Sequence, residues 1–231
     1  MSDQHKSKAA EFLALKLEGL PRFAAAGAPS PSTKSVYFVR HGEAEHNIRP
    51  RPWGRELIDA PLTKTGREQA ASSLEEATRA LDGTLELVIV SPMTRALQTA
   101  LLGFKAFAER ADFPFLCLEA CRERFGVNLP DKRRSTAAVA AEFPRVDFSM
   151  IETADDSLFS DDVRESSEAL SRRADAFLEM LHARPEQHIA VVCHSSFLCA
   201  LCNAALQTEA APGMGEWFAN AEMRIVHLMK L

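Results

Sequence analysis

Four short apolar runs, separated by segments of helical spacing, constrain the fold of this 231-residue chain more than any other feature. They lie at 36–39, 85–90, 115–121 and 188–193. Near-continuous apolar runs of strand length suit strands buried on both faces. The intervening spacing predicts helices over 65–81, 92–107, 135–142, 163–182 and 195–206, with a last strand over 221–228. Thr65 and Ser91 stand where N-caps belong, with Glu68 placed for a capping box and Pro92 at a first helical position. Strands alternating with long helices make an α/β protein: a three-layer sandwich with a mostly parallel central sheet and helices on both faces.

Ahead of the first run, residues 8–19 read as a helix stopped by Gly19, and Pro21, Pro29 and Pro31 mark a linker. The expected division is an N-terminal extension and linker over 1–34 and one domain over 35–231. The formal net charge of −5 argues against a general nucleic-acid binder. No apolar run reaches the length of a membrane span, and the first residues carry no secretory core, so the reading is a cytosolic protein without a membrane partner. Five cysteines, an odd number, fit reduced core thiols better than a disulfide framework. Cys199 and Cys202 form a C-x-x-C pair on an apolar helix, with no second pair to complete a zinc site.

Three strand ends carry chemistry. The first delivers Arg40 and His41 before Gly42; the second leads to Arg95 in the first turn of a helix; the fourth ends at His194 and Ser195. In a parallel sheet these ends share one edge, where ligands of open α/β sheets bind. Two arginines and two histidines there make a phosphate-sized patch of positive charge in an acidic protein. The long polar loop over 43–64, with prolines at 50, 52 and 61, lies over this edge.

The segments Val39-Arg40-His41-Gly42-Glu43 with Asn47, Pro61 to Ala70, Ser91 to Ala100, and Val191 to Ser195 together resemble the histidine phosphatase superfamily, the phosphoglycerate mutase-like proteins. The resemblance runs from about residue 36 to 195 and implies the phosphoglycerate mutase-like fold. It implies that His41 is the nucleophile of a phosphohistidine intermediate, with its second ring nitrogen donating to a backbone carbonyl. Arg40, Arg95 and His194 would clamp the phosphoryl oxygens, with Asn47 and the Ser195 N–H as further donors. The general acid matches Glu123, shortly before Gly126. Glu119 is its rival, because strand alternation puts 119, 121 and 123 on one face. The run Asp131 to Arg134 would either reach a distal anionic group or form a solvated turn. Arg49, Arg51, Trp53 and Arg55 of the long loop are candidates for shaping substrate choice, and 152–162 reads as solvated acidic surface.

Hydrolysis of a phosphate monoester is the leading expectation. Mutase-type phosphoryl transfer is the first alternative, weakened because Glu43-Ala44-Glu45-His46-Asn47 departs from the Glu-Ser and Trp-Asn pattern of glycolytic mutases. A non-catalytic module that holds a phosphorylated ligand is the second. No metal or organic cofactor is implied, since the arginines and His194 supply the positive charge. The expected partner is a phosphorylated small molecule, with phosphoprotein peptides also open; no oligomeric state is assigned.

Overall fold

The run at 36–39 folds as strand β2 (Lys34–Arg40), in the middle of a seven-stranded sheet. The computed structural model describes residues 7, 10–12, 14–15, 17–30, 32–209, 211 and 213–231. The other strands are β1 (Phe23–Ala26), β3 (Leu87–Val90), β4 (Phe115–Cys117), β5 (His188–Cys193), β6 (Leu206–Gln207) and β7 (Met223–Lys230). Their order is β4-β3-β5-β2-β7-β1-β6. The four strands from β4 to β2 run parallel, while β7 is antiparallel to both β2 and β1. The ends of β2, β3 and β5 therefore open on one edge, as the sequence implied.

Apolar clusters fill both sides of the sheet and explain why the central strands carry no polar alternation. On one face, Phe177 and Leu178 of helix Ser167–Ala183 pack with Phe197 and Leu198 of helix Ser195–Ala200 against Phe38 and Val191. The Phe177 and Phe197 rings meet edge to face at 5.4 Å. On the other face, Leu74, Leu97, Phe104 and Phe107 cover Val39, Val88 and Val192. Burying each such side chain contributes about 1.5–3 kcal/mol. Ser135 and Ser166 cap helices Thr136–Glu142 and Ser167–Ala183 with their hydroxyls.

Several local expectations are corrected. Phe23–Ala26, within the expected linker, joins the sheet between β7 and β6, and Phe12 is buried in the core below it. The run Phe-Ala-Ala-Ala has no β-branched residue, so it carried no strand signal. Part of the expected helix over 8–19 lies outside the described residues; residues 10–12 are helical, whereas Gly19 sits in a turn with φ of 77°. The helix expected from Thr65 starts two residues earlier, since Thr63 is the cap and its hydroxyl accepts from the Gly66 N–H at 2.9 Å. That helix passes through a π turn at Ala70–Leu74 before ending at Arg79. The third strand stops at Cys117, and Glu119–Cys121 forms a 3-10 turn. Alternation along that run therefore does not apply to residues 119, 121 and 123.

Candidate active site

The turn after β2 is built by close backbone approach. A Cβ on Gly42 would come within 2.6 Å of the Gly66 carbonyl oxygen, and one on Gly66 within 1.9 Å of the Glu43 oxygen. Glycine at both positions lets the helix Lys64–Gln69 press against the turn. Thr99 Oγ1 accepts from the Gly42 N–H at 3.0 Å, and Gln69 Oε1 accepts from the Glu43 N–H at 2.9 Å. The chain carrying His41 is thus fixed from two helices.

His41 is buried, and its Nδ1 lies 2.6 Å from the Gly42 carbonyl oxygen. A carbonyl can only accept, so the proton sits on Nδ1 and Nε2 keeps its lone pair. Burial, reinforced by Arg95 and Arg40, holds the His41 pKa well below the ordinary histidine value. Arg95 donates from Nε to His41 Nε2 at 3.3 Å. Its other nitrogens are tied to the Pro130 carbonyl at 2.7 Å and Asp131 Oδ1 at 2.9 Å. Asp131 Oδ2 also takes Arg164 at 3.1 Å, so a single carboxylate orients two arginines. Arg40 donates to the Phe218 carbonyl at 2.7 Å, and burial lowers its pKa to about 10.

Ser91, expected as a helix cap, performs a different task. Its hydroxyl lies 2.7 Å from His194 Nε2, while the helix Thr94–Gly103 is capped by Asp59, whose carboxylate accepts from the Thr94 N–H at 2.8 Å. The His194 ring lies 5.1 Å from that of His41, and burial with Arg95 nearby keeps it neutral. Three buried polar atoms without a hydrogen-bond partner belong to this cluster: Arg40 Nε, His194 Nδ1 and His46 Nδ1. Buried donors are ordinarily paired, so this set fits an anionic group received among them.

Glu123 is buried in the same cluster. Its Oε1 accepts from the Arg124 N–H at 2.9 Å, and its Oε2 accepts from the Ser196 N–H and the Ser195 hydroxyl, both at 3.2 Å. Burial pushes its pKa up, but these N–H bonds and the charges of Arg164 and Arg95 outweigh it and leave the carboxylate below its usual range. Glu119 faces elsewhere, pairing with Arg122 at 2.8 Å and Arg133 at 2.7 Å. Neither Arg122 nor Arg124 forms an ion pair with Glu123 among the described residues; Arg122 is taken by Asp156 at 2.7 Å. Asp156 is therefore a buried anchor within the stretch read as solvated surface.

A cavity of about 290 Å³ opens here, lined by Arg40, His46, Glu123, Asp131, Arg164 and Ser195 among others. Asn47 also lines it, but its Oδ1 accepts from the Ala44 N–H at 2.9 Å and its Nδ2 lies 3.1 Å from His46 Nε2. Arg49, Arg51 and Trp53 of the long loop form its rim. Arg133 and Arg134 turn away: Arg133 is buried against Glu119 and the 153–155 backbone, and Arg134 pairs with Asp59 at 2.9 Å. Sequence reasoning missed His46 and Arg164. Neither carried a signal, one lying inside a polar loop and the other just ahead of a helix, both brought in by tertiary folding. Among the described residues, no group of three or more His, Cys, Asp or Glu side chains is placed to hold a metal ion.

A neutral imidazole whose Nε2 accepts from Arg95, set among arginines on a parallel-sheet edge with a buried carboxylate in the same cluster, suits an anionic group. The pattern of the histidine phosphatase superfamily (branch 1) matches residues 36–230, and the chain belongs to that superfamily. It is 35% identical to phosphoglycerate mutase-like protein 1 of Arabidopsis thaliana, covering 85% of this chain and 81% of that one. It is 40% identical to a probable phosphatase of Schizosaccharomyces pombe over 81 residues, 35% of this chain and 37% of the other. The fold matches the ecdysone phosphate phosphatase of Bombix mori with a TM-score of 0.55 at 16% identity, covering 73% of this chain and 75% of that one. No helix among the described residues is long and apolar enough to cross a membrane.

Proposed function

We propose that the chain hydrolyses a small phosphate monoester through a phosphohistidine on His41. The observation that carries this reading is the bond from His41 Nδ1–H to the Gly42 carbonyl, which leaves Nε2 as a lone pair beside Arg40, Arg95 and His194. In the first step Nε2 attacks phosphorus, the P–O ester bond breaks, and the leaving alkoxide takes a proton from Glu123. In the second, Glu123 takes a proton from water, the water oxygen attacks phosphorus, the N–P bond returns its electron pair to Nε2, and Glu123 passes its proton to the departing phosphate. Arg40 and Arg95 hold the phosphoryl oxygens, Arg95 releasing Nε2 as it does so. His194 Nε2 lies 2.7 Å from the Ser91 hydroxyl and its Nδ1 is buried without a partner; in this reading Ser91 donates, the His194 proton is on Nδ1, and Nδ1–H meets a third oxygen.

Glu123 is ionised before substrate arrives, so its proton comes with the ester monoanion, whose own second pKa is about 6. The similarity to a probable phosphatase supports hydrolysis. The cavity is small and its walls are charged, which favours a compact, polar substrate over a peptide. A second reading, mutase-type return of the phosphoryl group to a bound phosphoglycerate, is favoured by the likeness to phosphoglycerate mutase-like protein 1. The test is release of inorganic phosphate from an aryl phosphate by wild type and His41→Ala. Activity in the wild type alone supports the proposal, and equal activity in both refutes it. Interconversion of 3- and 2-phosphoglycerate stimulated by a bisphosphoglycerate, faster than hydrolysis, would select the mutase.

A further inference from the structure

His46 is the one histidine of the cavity wall to which the resemblance gives no role, and its protonation can be derived from the backbone outward. The Ala44 N–H points at Asn47 Oδ1 at 2.9 Å, which fixes the orientation of that amide. The other end of the amide, Nδ2, lies 3.1 Å from His46 Nε2 and can only donate. His46 Nε2 therefore accepts, and the ring proton must be on Nδ1. That Nδ1–H is buried and has no partner. Burial, with Arg95 and Arg40 nearby, lowers the His46 pKa to about 2, so the ring stays neutral across any working pH.

The ring is also held in place. Its centroid lies 6.0 Å from that of His41, and Trp53 packs edge-on against it at 5.5 Å, while Trp53 Nε1 donates to the Arg49 carbonyl at 3.3 Å. A lone buried donor costs about 1–3 kcal/mol unless something uses it. The ring beside it is that of His41, at whose Nε2 a phosphoryl group would carry unpaired oxygens. A neutral donor suits this place, because it adds a hydrogen bond beside Arg40 and Arg95 without a third desolvated cation.

We propose that His46 is a further catalytic residue, its Nδ1–H donating to a phosphoryl oxygen as the group passes onto His41, with Trp53 as the residue that positions it. The inference rests on the phosphohistidine reading. Two variants separate donor from bulk. His46→Phe keeps a ring against Trp53 and removes the donor; His46→Asn returns an amide N–H at the position of Nδ1. The measurements are the single-turnover rate of phosphoryl-enzyme formation, orthovanadate affinity by calorimetry, and melting temperature. The expected result for His46→Phe is a loss of about 100-fold in rate, matched in orthovanadate affinity, with the shape of the pH profile unchanged. His46→Asn is expected to recover at least about tenfold of it. Overturning results are a His46→Phe enzyme within threefold of wild type, or equal losses in Phe and Asn that follow the melting temperature. If wild type and His41→Ala are equally inactive, the phosphohistidine reading fails, and orthovanadate affinity still decides the role of His46.

Discussion

Glu123→Gln separates proton delivery from site architecture. Glutamine keeps the shape of the side chain but cannot supply a proton to a leaving alkoxide. The three groups aimed at Glu123, the N–H of Arg124, the N–H of Ser196 and the hydroxyl of Ser195, are placed as donors to a carboxylate. An amide nitrogen in either oxygen position faces at least one N–H and leaves it unpaired, costing about 1–3 kcal/mol. That cost is present with and without substrate, so it lowers the stability of the fold and leaves the ratio between substrates untouched. Loss of the acid is a separate, selective penalty of about 100-fold or more, felt only where the leaving group needs a proton. The assay compares kcat/KM for β-glycerophosphate and p-nitrophenyl phosphate. The ratio of the two should fall by about 100-fold in Glu123→Gln, because nitrophenolate leaves without help. Equal losses on both esters would refute the role of Glu123 as acid. In the wild type, kcat/KM for the alkyl ester should decline above about pH 6, as the monoanion that brings the proton disappears.

Three other outcomes follow from the same geometry. His41, His46 and His194 are kept neutral in the fold by burial and nearby arginines, so their pKa values are lowered relative to the unfolded chain. The unfolded state then binds more protons below about pH 6.5, and stability should fall with falling pH in that window by about 1 kcal/mol per pH unit per histidine. Denaturant unfolding between about pH 7.5 and 5.5 checks this, and a flat profile contradicts it. Arg51 stacks on Trp53 at 4.3 Å and forms no ion pair among the described residues, so it is placed to meet a second negative charge on the substrate. Arg51→Gln should lower kcat/KM for a phosphorylated carboxylic acid about tenfold more than for an uncharged alkyl phosphate, with Arg51→Lys intermediate; equal losses contradict it. Asp131→Asn removes the carboxylate that orients Arg95 and Arg164, and kcat/KM should fall by about 100-fold for aryl and alkyl esters alike. A selective loss on one class would contradict a purely orienting role.

The central strands were legible because burial on both faces leaves an uninterrupted apolar run, as at Val36–Val39 and at β5. Arg40, His41, Arg95 and His194 were legible because a parallel sheet puts its strand ends together. What the sequence withheld depends on partners far along the chain. Ser91 reads as a helix cap until His194, 103 residues away, takes its hydroxyl. Glu119 and Glu123 look alike in a run of strand-like spacing. Only the turn at Glu119–Cys121, which sends Glu119 to Arg122 and Arg133, separates them. Asp156 lies in a stretch that reads as solvated, yet it neutralises the buried Arg122, and Phe23–Ala26 becomes a strand only because β7 and β6 offer it edges. Arg164 enters the cavity by the same kind of long-range pairing, through Asp131.

Direct observation of the phosphoryl-enzyme tests the central claim most closely. The protein is mixed with excess aryl phosphate, quenched in base within milliseconds, digested, and read by mass spectrometry. The predicted result is one phosphoryl group on His41, attached through Nε2, and its complete absence from His41→Ala. A phosphoryl group on another residue, or turnover by His41→Ala at the wild-type rate, would contradict the account.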